Sequence, residues 1–301
     1  MHLLKTILLM LGLLFLFACS SETYKEKGSK EYIAEIKEWH NKRIERLKRP
    51  NGWLNLVGLH WLKEGKNTFG SSAGNDFIFE GKNIPKSIGF FELKDSIVTI
   101  NVNENVDVLV DSAKVKTAIL KNDFEENTTQ MQLGSLRWFI IKRGEKLGVR
   151  VRDLEAKLLT EFEGIDTFPI NEDWKVEAEF VKYDPPKKIV IPDVLGNFNE
   201  SESPGALKFI VDGTEYSLDP TEASSGYFVV FADLTSGEET YGAGRFLYVE
   251  APGSTGKIYL DFNKAYNPPC AFTKYATCPL PPKQNHIKLR VTAGEKNFGE
   301  H

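Results

Sequence analysis

Past residue 50 the chain carries almost no helical periodicity, and this restricts its fold more than any other feature. Ser135–Lys142, Gly148–Arg152, Lys175–Tyr183, Lys188–Ile191 and Gly226–Phe231 are rich in β-branched and aromatic residues, and several alternate apolar with polar. Leu207–Val211, Asp212-Gly213 and Thr214–Leu218 read as a hairpin, because Asp-Gly takes the positive φ angles of a tight turn. Ile287, Leu289 and Val291 alternate with His286, Lys288 and Arg290, as in another half-buried strand. No long helical pattern separates these runs, which disfavours a parallel α/β sheet. The expected fold is mainly β: an antiparallel sandwich or barrel system with one N-terminal amphipathic helix packed on it.

That helix is carried by Tyr32, Ile33, Ile36, Trp39, Ile44 and Leu47 at three- and four-residue spacing. Glu31, Glu35 and Glu38 lie early and Lys42, Arg43, Arg46 and Lys48 late, which suits the helix dipole. Pro50-Asn51-Gly52 ends it. A domain boundary is conceivable near Pro185-Pro186 or in the stretch 196–205.

Met1 to Ala18, with Lys5 near its start and an apolar run from Ile7 to Phe17, reads as an export signal and is too short to span a bilayer. Leu16-Phe17-Ala18-Cys19 resembles the bacterial lipobox, which implies lipidation of Cys19 and a lipid bilayer as partner. Ser20, in place of the aspartate that marks inner-membrane retention, implies an outer membrane lipoprotein of the cell envelope. Residues 19–29 read as a flexible tether and 30–301 as a single β-rich domain. A net charge of −4 with no long basic block argues against nucleic acid as a partner. No P-loop, G-x-G-x-x-G or H-E-x-x-H is present, so no cofactor is named.

The chemistry concentrates in Asp261–Pro282, where prolines stiffen a loop carrying Asp261, Asn263, Tyr266, Asn267, Cys270 and Cys278. Four readings of the cysteines stay open. They form a Cys270–Cys278 disulfide, two free buried thiols, a metal site with His286, or a catalytic thiolate at Cys270 activated by His286 or Arg245. Asp233 and Arg245 flank a glycine-rich stretch, where Arg245 would clamp an anion or simply pair with Asp233. Arg150 and Arg152 share one strand face and need an ion pair, an anion or water.

Three hypotheses follow. The first is an enzyme or small-ligand binder for a polar or anionic molecule. Cys270 or Asp261 would react and Arg245 orient, with Asn263, Tyr266, Asn267, Asp233 and Arg150 as ligand contacts. The second is a non-catalytic binding or scaffold lipoprotein whose loop is closed by the disulfide. The third is a metal site. His40 and His60 read as packing residues. Gly70-Ser71-Ser72-Ala73-Gly74 lacks the helix that a nucleophile elbow needs.

DFNKAYNPPCAFTKYATCPLPPKQN (261–285), followed by Ala293-Gly294-Glu295-Lys296, resembles the bacterial domain-of-unknown-function family numbered 1684. The stretches Gly52–Gly70 and Phe231–Leu247, Arg143-Gly144 and the run 148–153 agree with it. The resemblance implies one architectural unit over nearly all of the exported chain and brings no established activity. The region around Gly70 also resembles the forkhead-associated module. The Arg and Ser-x-x-His of that phosphopeptide reader are missing, so that reading is set aside.

Overall fold

The computed structural model describes residues 25–252 and 257–299. The expected export signal and Cys19 lie outside the described residues, as does most of the expected tether. The tether's last residues are docked rather than loose: Lys27 N–H donates to Ile170 O at 2.9 Å, and Glu172 N–H donates to Lys27 O at 2.8 Å. Ser29 is also committed, because its Oγ accepts Tyr32 N–H at 3.1 Å and so caps the helix.

The helix spans Lys30–Lys48 and buries Tyr32, Ile36, Arg43 and Leu47, one face at helical spacing. Its acidic first turn and basic last turn follow the dipole, as expected. What the periodicity did not indicate is that a cation, Arg43, sits on the buried face.

The rest is mainly antiparallel β, as the patterning required, arranged around two separate cores. In the first, strand Leu56–Trp61 pairs with Lys146–Asp153, which pairs with Leu136–Arg143. Three short strands extend this to a six-stranded sheet, and a five-stranded sheet faces it. Alternation sends Trp138, Ile140, Val149 and Val151 inward to meet Phe69 and Phe91 of the opposing sheet. The opposite face therefore carries Arg143, Arg150 and Arg152.

In the second unit, strands Lys175–Pro192 and Phe198–Val211 form a long hairpin, joined by Thr214–Leu218 and Ile258–Asp261. The three strands Thr221–Ala223, Gly226–Phe231 and Arg245–Glu250 make a second sheet. Leu207, Phe209, Phe231, Leu247, Leu260 and Phe262 fill the space between them. The Asp212-Gly213 turn is as expected: Val211 faces Thr214, with φ of +49° and +77° at the two turn residues.

Two expectations are corrected. Pro185-Pro186 and the stretch 196–205 mark no boundary, since both lie in or at the tip of the long hairpin, which absorbs the prolines as a register shift between Lys182 and Lys187. Ile287, Leu289 and Val291 are buried and their neighbours exposed, but they form no regular strand. They run beside 232–234, tied by Ile287 N–H to Ala232 O and Leu234 N–H to Leu289 O. Burial alternates there without a ladder because Pro281 and Pro282 lead in and a turn at Gly294 leads out.

Candidate functional site

The Asp261–Pro282 loop is held from three directions, and most of its polar side chains are consumed in holding it. Asp261 accepts the Tyr32 hydroxyl at 2.8 Å and Asn263 N–H at 3.2 Å. Asn263 accepts Asn171 N–H at 3.0 Å and donates to Asn171 O at 2.8 Å and to the Tyr32 hydroxyl at 2.9 Å. These bonds pin the loop to the helix, and burial and the Asp261 carboxylate push the Tyr32 hydroxyl far up from its ordinary range. Asn267 donates from its backbone to Glu295 at 2.7 Å and from its side chain to Lys296 O at 2.7 Å.

Arg245 is completely enclosed. It donates to Asp233 at 2.7 Å, to Val291 O at 3.1 Å and to Ala293 O. Burial lowers its proton affinity and Asp233 restores part of it. This guanidinium ties the chain's last segment to the sheet and presents nothing to a ligand. Asn263 is equally sealed. Cys270 and Cys278 form a disulfide with their Cα atoms 6.2 Å apart, so Cys270 holds no free thiolate in this form. Cys270 borders a cleft of about 800 Å³ with Leu59, Trp61, Tyr241, Phe272 and Tyr275. Cys270, Asn263 and Arg245 thus do not converge on one pocket. Among the described residues no three His, Cys, Asp or Glu side chains gather to hold a metal ion.

The loop does shape a second concavity. A cleft of about 680 Å³ opens between the C-terminal half of the helix, the turn after it, strand Arg245–Glu250 and the loop at Lys264–Pro269. The helix contributes Trp39, Arg43, Arg46 and the capping residue Arg49, spaced four, three and three and hence on one face. Alternation along Arg245–Glu250 turns Phe246, Tyr248 and Glu250 toward the cleft and Leu247 and Val249 into the core. Phe228 stands opposite Tyr248 on the next strand, and their rings are 5.1 Å apart.

The charges divide into spent and unspent. Arg43 pairs with Glu295 at 3.2 Å, donates to Asn267 O at 2.9 Å and lies 4.7 Å from the Tyr266 ring. Lys264 pairs with Glu35 at 2.7 Å. Arg46 and Arg49 are exposed on the cleft, and among the described residues no carboxylate lies within ion-pair distance of either. Trp53 closes one side, and behind its ring stand Arg150 and Arg152, with guanidinium carbons 5.8 and 5.9 Å from it. Among the described residues neither forms a salt bridge, although Asp123 attracts Arg150 from a distance: Arg150 donates to Thr277 Oγ1 at 3.2 Å, and Arg152 to Asn55 Oδ1 at 2.8 Å and to Gly52 O. The expected ion pair is replaced by neutral acceptors. Burial pushes each guanidinium down to about 10; at Arg150, Arg143 and Arg152 add repulsion and Asp123 opposes it.

Arg152 and Asn55 also build the turn that closes the cleft. Asn55 donates to Arg49 O at 3.2 Å and Pro50 O at 2.8 Å. Gly52 fits only because it has no side chain, since a Cβ there would stand 2.1 Å from Leu47 O. Of the helix-end carbonyls, Arg46 O takes the Arg49 N–H and Leu47 O the Leu54 N–H.

Residues 160–296 match the model of a family described as "Protein of unknown function (DUF1684)". That part of the chain belongs to this family. No curated protein matches the chain. Among solved structures it is similar to an uncharacterised protein of Haloarcula marismortui, 32% identical, over 47% of this chain and 80% of that one, with a TM-score of 0.39. It is also similar to the FHA domain of FhaA in complex with the intracellular domain of Rv3910, 15% identical over 31% of this chain and 97% of that one, TM-score 0.22. A third is the N-terminal FHA domain of Rad53p from S. cerevisiae, in complex with a phosphothreonine peptide. It is 15% identical over 29% of this chain and 67% of that one, TM-score 0.17.

Of the expected ligand contacts, Tyr266 alone lines this cleft, and Arg150 stands behind it. Arg46, Arg49, Trp53, Tyr248 and Glu250 were not among the expected site residues. The basic end of the helix is accounted for by the dipole alone, and only the recurrence of Trp39, Arg43, Arg46 and Arg49 on one face hints at more.

Proposed function

We propose that this protein binds a small anionic, ring-bearing molecule in the cleft beside Trp53, and that it does so as an exported lipoprotein anchored in the outer membrane through Cys19. One observation carries the binding reading: Arg46 and Arg49 border an aromatic-walled concavity without a carboxylate to neutralise them. Exposed arginines at a helix end are ordinary. Two of them facing stacked aromatic rings, with two more buried guanidiniums that form no salt bridge among the described residues behind one wall, make a region that favours an anion. The disulfide supports binding over thiol catalysis, because the reactive sulfur that an enzyme would need is bonded. Export and anchoring rest on the leader and the lipobox-like Leu16–Cys19.

Trp39 and Trp53 line the cleft, so their fluorescence reports occupancy. Titration of the full chain with glucuronate, glucose 6-phosphate and AMP is expected to give a saturable change from at least one, lost in the Arg46→Glu/Arg49→Glu double variant. A flat response to all three overturns the binding reading. Metabolic labelling with an alkyne-bearing fatty acid is expected to mark the wild type and not Cys19→Ser, and equal labelling overturns the anchor.

A further inference from the structure

We infer that the ligand of this cleft is a phosphate monoester carried on a hydroxyl-bearing ring, an assignment that rests on the binding reading above and specifies its chemistry. The two unspent guanidiniums set the anionic group. A carboxylate offers two acceptor oxygens, enough for one guanidinium fork, and would leave either Arg46 or Arg49 without an acceptor. A phosphate monoester carries about −1.5 to −2 at neutral pH and offers three acceptor oxygens, enough for two guanidinium forks.

Glu250 sets the rest of the molecule. Its carboxylate lines the same cleft; it forms no salt bridge among the described residues and is attracted only from a distance by Lys264, which Glu35 already holds. It repels a second phosphate and accepts hydrogen bonds from hydroxyls, so the cleft selects one anionic group and, away from it, donors. Tyr248 sets the ring. It is 60% exposed, it lies against Phe228, and its plane is within 4° of that of Tyr266 at 6.5 Å. An exposed aromatic face braced from behind is a stacking platform for a sugar or base ring. Phosphate on Arg46 and Arg49, hydroxyls toward Glu250 and the ring on Tyr248 give each of these groups one role.

Calorimetric titration of the full chain with glucose 6-phosphate, AMP, inorganic phosphate, glucose and glucuronate tests this. At least one of the two esters is expected to bind. Glucose is expected to show no binding, and inorganic phosphate about tenfold weaker binding than the ester. Arg46→Ala and Arg49→Ala, both on exposed positions and checked for folding by circular dichroism, are each expected to weaken ester binding about tenfold or more. Glu250→Gln is expected to weaken the ester and leave inorganic phosphate unchanged. Ester binding is also expected to strengthen between pH 5 and 7, as the second phosphate proton leaves near pH 6. Preference for glucose 6-phosphate over AMP, or the reverse, tells a sugar ring from a base. Glucuronate binding without ester binding overturns the phosphate assignment and leaves the cleft reading standing. Inorganic phosphate binding as tightly as both esters overturns the ring and hydroxyl assignment. No binding by any anion overturns both readings.

Discussion

The guanidinium of Arg43 meets the carboxylate of Glu295 at 3.2 Å across 252 residues of sequence, both side chains almost wholly buried. Around this pair the N-terminal helix, the Asp261–Pro282 loop and the last segment of the chain close on one another. Burial pushes the Glu295 carboxyl up, and Arg43 and the Asn267 N–H pull it back. Removing one partner strands the other charge in the interior. Arg43→Ala is therefore expected to cost about 3–5 kcal/mol in urea unfolding. A loss under 1 kcal/mol would show that the pair does not join these elements.

Arg245 and Asp233 form the second buried pair, in which the carboxylate is charge partner to a guanidinium that also serves three carbonyls. Asp233→Ala is expected to destabilise by a comparable amount, about 3–5 kcal/mol, with the loss appearing as a lower midpoint at unchanged slope. The pair is structural, so a destabilised variant that still folds at low temperature is expected to keep its ligand affinity.

The buried arginines behind Trp53 behave in the opposite sense. Removing Arg150 strands no carboxylate, because Asp123, which attracts it, keeps Arg143 at 2.8 Å, and Thr277 Oγ1 still receives Arg143 at 3.0 Å. Arg150→Met removes a desolvated charge and keeps the apolar stem. It is expected to leave thermal stability unchanged or raised, while anion affinity falls. A marked destabilisation would mean that Arg150 is a structural cation like Arg43.

The Cys270–Cys278 bond closes a short loop. In the chain-entropy model it contributes roughly 2.6 kcal/mol. Full reduction, or Cys278→Ser, is expected to lower stability by about 2–3 kcal/mol. Thiol titration of the unreduced, denatured protein is expected to find no free thiol from residues 270 and 278.

Acid should act through His40, whose proton affinity burial lowers from the ordinary 6.5 to about 4, with Arg43 adding to the effect and a backbone bond to Asn263 opposing it. The folded state holds this imidazole neutral, and the unfolded chain takes up a proton first. Stability from this group is thus complete above pH 6.5 and is lost as pH falls toward 4, by about 3 kcal/mol at most. His60, lowered by burial alone, acts in the same direction. His40→Gln is expected to flatten stability between pH 4 and 6.5 in urea titrations, and an unchanged slope would rule His40 out.

Much of this architecture follows from local pattern. The helix register, the Asp212-Gly213 hairpin, strand Gly226–Phe231 and the antiparallel character of the whole depend on periodicity and turn chemistry within a few residues. Asp261–Pro282 was legible as a rigid loop bordering a cleft for the same reason, since prolines restrict the chain wherever it goes. The roles of its polar residues were not legible. Asp261 reads as a reacting group and Asn263 and Asn267 as ligand contacts because their chemistry allows it, yet Tyr32, Asn171 and Glu295 consume them. The cleft residues escaped for the reverse reason, because Arg46 and Arg49 resemble any basic helix end.

Sequence alone determined which segments are strands, which face of each is apolar and where the chain must turn, because those depend on backbone sterics and on side-chain alternation. Tertiary structure alone decided which charges are paired and which are left over. Arg43 and Arg46 differ by one helical turn and have the same chemistry. One is closed in by Glu295 and the other faces open solvent in a cleft, and only the packing of distant segments separates them.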